Sequence, residues 1–167
     1  TGLAVIDIAA GAVAERHLLP GAGLLNDVAV APDGAVFVSD SVRGTVHRFA
    51  GGQWETWLQG EAFARPNGLL VQGGRLLVAV NGDGCLKAVD LASKAVTTVA
   101  RFGPGLLDGL QAGPDGSVLV SHSEGRLFRI SPDGTVAKLL DLTAVGVPCL
   151  PLRAAVEVDA IVAVSIG

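Results

Sequence analysis

The sequence contains no methionine, only two cysteines, and few aromatic or charged residues, which make up 4% and 17% of its 167 residues. Two cysteines cannot build the disulfide framework on which many small secreted domains depend. Lys and Arg number 12 against 16 Asp and Glu, and the resulting net charge of −4 argues against a nucleic-acid-binding protein, which would carry a basic surface. No apolar run reaches the roughly 18 residues of a membrane-spanning helix. We therefore expect neither nucleic acid nor membrane insertion among the partners of this chain.

The remaining composition is that of a folded β-protein. Half of the residues are hydrophobic, and the mean hydropathy is +0.52, so the chain is not disordered. The 23 glycines, with few charges, indicate many short strands joined by tight turns. The length suggests one domain over residues 1–167. Because translation starts with methionine and this sequence starts at Thr1, we expect a chain that is processed, cut or incompletely read at its N-terminus.

Three segments repeat the same pattern at a spacing of 41 residues. Each has a polar residue near the start of an apolar strand, then a glycine turn, then a second apolar strand. The polar residues that lead the repeats are Asn26, Asn67 and Asp108, and the second strands end at Asp40, Asn81 and His122. A further glycine turn and two more strands follow in each repeat. A period of about 40–45 residues made of short strands is the signature of a β-propeller, so we predict an all-β propeller of four-stranded blades.

The repeat register predicts whole blades at about residues 24–58, 65–100 and 106–140, with partial blades at 1–19 and 147–167. Residues 3–8 and 13–19 fit the third and fourth strands of an earlier blade, and residues 149–153 and 156–166 fit the first two of a later one. The two ends could combine into one closing blade, or the chain could be an internal piece of a larger propeller. The second alternative predicts that the chain does not close as a four-bladed ring.

The repeats resemble those of the family that includes senescence marker protein, gluconolactonase and luciferin-regenerating enzyme, and its bacterial members most of all. The resemblance lies in Leu-Asn-Asp-Val-Ala-Val, Pro-Asn-Gly-Leu-Leu-Val and Leu-Asp-Gly-Leu, in this order and spacing, and covers about residues 3–146. It implies a six-bladed propeller of which this chain carries a part. It also implies a divalent metal in the central channel, calcium or zinc. Because the bacterial members are often exported, we expect a periplasmic or secreted protein, and otherwise a cytoplasmic one.

The resemblance also implies roles for particular residues. Asn67 and Asp108 match two of the family's metal ligands, and Asn26 matches a channel residue that contacts the substrate or a metal-bound water. The third ligand is a glutamate that cannot be placed here, since Glu15 lies in the context of a fourth strand. The implied activity is hydrolysis of a lactone or related ester by metal-activated water, with Asp108 as ligand and catalytic base.

The residue types are consistent with this chemistry. Inner strands of successive blades start at one end of a propeller axis, so the three lead residues would form a ring of oxygen ligands. Oxygen ligands without His or Cys suit calcium better than a structural zinc. The alternative for each lead residue is purely structural, because Asn and Asp at strand starts often satisfy nearby backbone groups. The alternative for the whole protein is a non-catalytic propeller that binds a ligand or a protein partner.

Other polar and aromatic residues have structural interpretations. We expect Asp40, Asn81 and His122 to end strands or brace the next turn, with His122 as a general base a remote alternative. His17 and His47 are expected on the surface, and Trp54 and Trp57 between blades. Cys85 is expected to be a buried small hydrophobe, and a Cys85–Cys149 disulfide is left open.

Overall fold

The computed structural model describes residues 1–103 and 107–146, and the backbone of residues 160–165. In chain order its strands are β1 (Gly2–Asp7), β2 (Ala12–Leu18), β3 (Leu25–Val30), β4 (Val36–Asp40), β5 (Thr45–Ala50), β6 (Gln53–Gln59), β7 (Pro66–Gln72), β8 (Arg75–Val80), β9 (Cys85–Asp90), β10 (Val96–Arg101), β11 (Leu107–Ala112), β12 (Val118–His122), β13 (Arg126–Ile130), β14 (Val136–Asp141) and β15 (Ala160–Ser165). Two short 3-10 helices lie at Glu61–Phe63 and Thr143–Val145. Within the described residues, no helix has the length and apolar character that a membrane crossing needs.

Each of the three repeats forms one antiparallel sheet of four strands, which confirms the predicted all-β propeller. We call these sheets blade 1 (β3–β6), blade 2 (β7–β10) and blade 3 (β11–β14). A fourth sheet, the end sheet, has the strand order β15-β1-β2. The strands β3, β7 and β11 lie side by side as the inner strands of the three blades, and β15 of the end sheet contacts β3.

The end sheet joins the two ends of the chain. The strand β15 pairs antiparallel with β1, from Gly2 opposite Ser165 to Asp7 opposite Ala160. Of the two arrangements expected for the chain ends, residues 160–165 thus follow the shared blade rather than a later blade of their own. Across the described residues, the end sheet makes no extended contact with blade 3, so the four sheets form an open arc and not a closed ring. The strand expected at 149–153 lies outside the described residues.

The core lies between the blades. The strand β8 shows this, because its side chains alternate between the two neighbouring blades. Leu76, Val78 and Val80 face blade 1, whereas Leu77 and Ala79 face blade 3, and all five are at most 4% exposed. The strand β8 is therefore buried on both faces. A strand buried on both faces loses the apolar–polar alternation of a half-exposed one.

Aromatic side chains fill the gaps between outer strands. Trp57 on β6 is 6% exposed and lies edge-on to Phe37, with ring centroids 4.7 Å apart. The ammonium of Lys94, from blade 2, lies 5.5 Å from the centre of the Trp57 ring. This confirms the predicted role of Trp57 in packing between blades.

The histidines expected on the surface are instead partly buried. His17 on β2 stacks on Phe49 of blade 1, with ring centroids 4.3 Å apart. The His47 side chain is 12% exposed, and its Nε2 lies 3.8 Å from the carboxylate of Asp40. Burial lowers the pKa of His47, although the nearby charge of Asp40 opposes that shift. The prediction was wrong because both rings cover the contact between the end sheet and blade 1.

Asp40, which ends β4, braces the turns around it as predicted. Its carboxylate is fully buried and accepts hydrogen bonds from the amides of Gly23 at 2.7 Å, Leu24 at 3.0 Å and Arg43 at 3.0 Å. Burial alone would raise the pKa of Asp40, but these three amides and the charge of His47 outweigh burial and hold it below its usual value. A carboxylate with a lowered pKa stabilises the fold at neutral pH, and this stabilisation is lost as the pH falls through that pKa.

The inner strands of blades 2 and 3 approach each other closely at Gly68. A Cβ atom built on Gly68 would lie 2.1 Å from the carbonyl oxygen of Asp108 in blade 3. The glycine does not have a positive φ, so it is required here for space and not for conformation. Only a residue without a side chain lets the two strand starts meet.

We predict that Asp40→Asn lowers the free energy of unfolding by about 2–3 kcal/mol at pH 7, because an amide replaces a charged acceptor of three buried amides. Urea unfolding at pH 7 and at pH 3 measures the effect. The difference from the wild type should be smaller at pH 3, because the stabilisation that comes with the lowered pKa of Asp40 is lost as the pH falls below the ordinary pKa of an aspartate. Asp133→Asn, in an exposed turn, is the control. Equal stabilities of Asp40→Asn and wild type at pH 7 would contradict the role given to Asp40.

We predict that Gly68→Ala lowers the free energy of unfolding by about 2–3 kcal/mol, because the new methyl group must push two backbones apart. Gly73→Ala is the matched control. Gly73 has a φ of 57° and no atom within 4 Å of a built Cβ, so its substitution costs only backbone strain, about 1 kcal/mol. Thermal and chemical unfolding compare the two variants. A Gly68→Ala variant as stable as Gly73→Ala would show that the strands do not need this close contact.

Candidate functional site

The same irregularity occurs near the start of the inner strand in all three blades. The pairing shifts by one residue between Leu25 and Val28, between Pro66 and Leu69, and between Leu107 and Leu110. Each shift is a β-bulge, in which one extra residue of the inner strand leaves the ladder. The bulges contain the three residues predicted as site residues, which are Asn26, Asn67 and Asp108. Bulges are common next to active sites because they redirect side chains.

Buried serines satisfy the backbone at two of these bulges. The amide of Asp27 donates to the Ser39 hydroxyl at 3.0 Å, and the amide of Gly109 donates to the Ser121 hydroxyl at 2.9 Å. Both serines are fully buried, and they lie on β4 and β12, opposite the bulged strands. The hydroxyl groups replace the ladder bonds that the extra residue removes. These serines, one residue before Asp40 and His122, are the sequence signal of the bulge.

Asn26 links blade 1 to blade 2 through a hydroxyl group. Its Nδ2 donates to the Ser41 hydroxyl at 3.1 Å, and that hydroxyl donates to the carbonyl of Pro66 at 2.6 Å. Asn26 is partly buried. This link uses one of the two N–H donors of the Asn26 amide group, and the amide oxygen takes no part in it.

Asn67 makes the equivalent link from blade 2 to blade 3 directly. Its Nδ2 donates to the carbonyl of Leu107 at 3.0 Å. Leu107 and Pro66 are equivalent in the repeat, so blades 1 and 2 both donate a hydrogen bond to the same carbonyl of the blade that follows. The bond fixes the Asn67 side chain beside the start of β11, next to Asp108. The amide oxygen, which carries the lone pairs of the group, is the atom of Asn67 suited to a cation.

Asp27 also lies at this site and connects two blades, although the sequence analysis did not identify it. Its carboxylate accepts from the amide of Leu69 in blade 2 at 2.8 Å and from the amide of Val28 at 2.9 Å. Asp27 occupies the repeat position at which blades 2 and 3 have Gly68 and Gly109. The sequence signal that could have identified Asp27 is a charged residue at a position that the other two repeats fill with glycine. Its role is to join blades 1 and 2 beside Asn26.

Asn67 and Asp108 fit a divalent cation in chemistry, but they supply only two of its ligands. Gly68 brings their backbones into contact, and both side chains offer oxygen atoms of the kind that calcium prefers. Among the described residues, no group of three or more His, Cys, Asp or Glu side chains could hold a metal ion. Glu15 is exposed on β2, the outer strand of the end sheet, and contacts His17 at 2.9 Å. It therefore does not join Asn67 and Asp108.

Two further candidates, His122 and Cys85, are buried side chains. His122 is 3% exposed at the end of β12, and its Nδ1 lies 3.9 Å from Glu124. The Cys85 side chain is fully buried, as predicted, and the Arg101 guanidinium approaches its sulfur at 3.3 Å. Burial and the nearby Asp83 raise the pKa of the Cys85 thiol, which makes it a poor nucleophile. The other half of the disulfide left open, Cys149, lies outside the described residues.

Comparison with known proteins gives matches in fold and none in sequence. No protein-family model and no curated protein matches the chain. Virginiamycin B lyase from Staphylococcus aureus, in a complex with quinupristin, matches with a TM-score of 0.66 at 14% identity, over 81% of this chain and 47% of that one. A protein provisionally described as a gluconolactonase matches with a TM-score of 0.65 at 21% identity, over 75% of this chain and 51% of that one. A chain of a nidogen–laminin complex matches with a TM-score of 0.71 at 13% identity, over 84% of this chain and 62% of that one.

These matches establish the fold and leave the activity to be proposed. The chain spans about half the length of the lyase and of the gluconolactonase-like protein. At identities this low, structural similarity shows a shared architecture alone. The open arc of blades and the three neighbours together show that this chain has the architecture of a β-propeller.

Proposed function

We propose that this protein hydrolyses a lactone or a related ester, using a divalent cation held by Asn67 and Asp108. The observation that carries the proposal is the bulge that recurs near the start of three adjacent inner strands, with an oxygen-bearing side chain in each. A propeller places such strand starts around one end of its axis. The gluconolactonase-like neighbour supports the reaction class, and the sequence resemblance supports the residue roles.

Each of these residues would have a distinct role in the reaction. The amide oxygen of Asn67 and the carboxylate of Asp108 would hold the cation, with calcium preferred to zinc because the ligands are oxygens. A bound cation supplies Lewis-acid polarisation of the substrate carbonyl. Asp108 would accept a proton from the attacking water as general base. Asn26, with its nitrogen held by Ser41, would accept a hydrogen bond from a substrate hydroxyl through its oxygen.

The expected partner is a small-molecule substrate. Export to the periplasm or the cell exterior stays part of the proposal and is supported only by the resemblance to exported bacterial proteins. The substrate itself must be small enough to reach the starts of the inner strands.

A second candidate function is a propeller that binds a protein or ligand without catalysis. The match to a chain of a nidogen–laminin complex favours it, because that propeller was solved within a protein–protein assembly. The two functions differ in one measurable way. A binding module gains stability from its ligand but shows no turnover of any lactone.

We predict that Ca²⁺ at a hundredfold excess over its Kd stabilises the wild type by about 2.7 kcal/mol. Asp108→Asn should lose this stabilisation and lower lactone turnover by at least about a hundredfold, because it removes the ligand charge and the base together. Calorimetric melting with Ca²⁺ or EDTA, and a pH-stat assay with gluconolactone, measure the two effects.

Asp33→Ala is the control for this prediction. Asp33 lies in an exposed Pro-Asp-Gly turn and accepts a hydrogen bond from the amide of Ala35. It should keep both the calcium response and the turnover. Calcium stabilisation without turnover in the wild type would favour the binding module, and no response to calcium in the wild type would refute the metal site.

A further inference from the structure

Asn81, the residue after the second strand of blade 2, has a buried acceptor atom without a partner. The residue is partly buried, and its Oδ1 atom is shielded from solvent. Across the described residues, this oxygen accepts no hydrogen bond. A buried acceptor that is left unsatisfied destabilises the folded protein, so such an atom needs an explanation, and a bound ion is one of the few available.

The position of Asn81 in blade 2 is that of Ser41 in blade 1. The amide of Ser41 donates to the carbonyl of Leu24 at 2.9 Å, and the amide of Asn81 donates to the carbonyl of Arg65 at 3.1 Å. Leu24 and Arg65 are 41 residues apart, and each lies two residues before the asparagine that leads its repeat. The side chains of Ser41 and Asn81 therefore leave equivalent points of the backbone.

This equivalence gives the direction of the Asn81 side chain. The Ser41 hydroxyl contacts the lead asparagine of its own blade and the inner strand of the next blade. In blade 2, Asn67 reaches the next blade directly, by donating to the carbonyl of Leu107. The alternation along β8 agrees, since Val80 faces blade 1 and the residue after it is directed toward blade 3. The Asn81 amide group is therefore placed beside Asn67 without being needed in the link between blades.

A strained segment holds the backbone at this point. Arg65 has a φ of 55°, in the left-handed region that residues other than glycine rarely adopt, and it stands before a proline, which favours an extended residue. The amide of Asn81 donates to the Arg65 carbonyl, and the amide of Gly82 donates to the Ala64 carbonyl at 2.9 Å. Strained residues that the surrounding structure holds in place are concentrated at functional sites. The same two hydrogen bonds fix the origin of the Asn81 side chain.

A cation at Asn67 and Asp108 would give the Asn81 oxygen its missing partner. Amide oxygens are ligands that calcium accepts together with carboxylates. The resulting set has two amides and one carboxylate, which agrees with the lack of any cluster of three His, Cys, Asp or Glu side chains in the described part of the chain. Because only one of these ligands is charged, we expect weak binding, with a Kd for Ca²⁺ on the order of 10⁻⁴–10⁻³ M.

We propose that Asn81 supplies a third protein ligand to the cation, through its Oδ1 atom. The proposal rests on the proposed function for the cation site itself. The sequence resemblance assigns no role to Asn81, since it implies only Asn67, Asp108 and a glutamate that cannot be placed. Asn81 is a binding residue and takes no part in proton transfer. Its burial without a partner is compensated when the cation binds.

Asn81→Leu tests the proposal, because leucine has the branched shape of asparagine and lacks the oxygen. Isothermal titration with CaCl₂ measures the affinity, and urea unfolding in EDTA measures the stability of the metal-free protein. We expect the affinity for Ca²⁺ to fall at least about tenfold, with a urea midpoint in EDTA no lower than that of the wild type, because the variant loses an unsatisfied acceptor. Asn81→Asp keeps an oxygen and adds a charge, so it should bind Ca²⁺ at least as tightly as the wild type.

Ser41→Ala is the matched control. Ser41 occupies the equivalent position in blade 1, and its hydroxyl takes part in two hydrogen bonds. We therefore expect the opposite pattern, which is a lower urea midpoint in EDTA and an unchanged affinity for Ca²⁺.

The possible results separate Asn81 from the rest of the site. If Asn81→Leu binds Ca²⁺ like the wild type, the role of Asn81 is overturned and the site of Asn67 and Asp108 stands. A urea midpoint lowered as in Ser41→Ala would show that the Asn81 oxygen has a partner in the protein, and would also overturn it. A wild type that binds no Ca²⁺ would refute both the ligand and the cation site. Binding that depends on Asn81 in a protein without lactone turnover would support the ligand and refute the hydrolase.

Discussion

The bulge near the start of each inner strand is the constraint on which the site and the contacts between blades depend. An extra residue in β3, β7 and β11 removes ladder hydrogen bonds, so its backbone needs other partners. Ser39 and Ser121 supply them from the neighbouring strand. The bulged residues in turn reach the next blade, through Asp27 to Leu69 and through Asn67 to Leu107. The local irregularity of one sheet therefore sets its register against the next.

The same arrangement explains why the polar residues of the site also have structural roles. The amide nitrogens of Asn26 and Asn67 hold adjacent blades together, whereas their oxygens stay suited to a ligand. Structural and functional interpretations of these residues are thus not exclusive. An asparagine can serve both because it has a donor and an acceptor on one planar group. An aspartate at the same position, as in blade 3, has only acceptors when ionised and places a negative charge there instead.

Much of the fold could be predicted from the sequence because each repeat has characteristic turn residues as well as apolar strands. The spacing of Asn26, Asn67 and Asp108 and the glycine turns located the three sheets. The positions of His17 and His47 could not be predicted, because their burial depends on packing between the end sheet and blade 1. The pairing of β15 with β1 was only one of two expectations, since the 160–165 segment carries no turn signals that select a partner strand.

The candidate site was predicted in part for a related reason. Equivalent positions in a repeat share an environment, so three lead residues implied one location. Asp27 and the strained Arg65 are departures from the repeat, and their roles depend on contacts with the following blade and turn. Such contacts link residues about 16–42 positions apart, between strands that have no local signal in common.

A crystal structure of the protein grown with excess Ca²⁺ tests most directly whether the bulges bring Asn67 and Asp108 together as ligands. We expect one ion with the Asn67 amide oxygen and the Asp108 carboxylate within about 2.3–2.6 Å of it. An ion bound elsewhere, or Asn67 and Asp108 oxygens contacting only protein groups at saturating calcium, would contradict it.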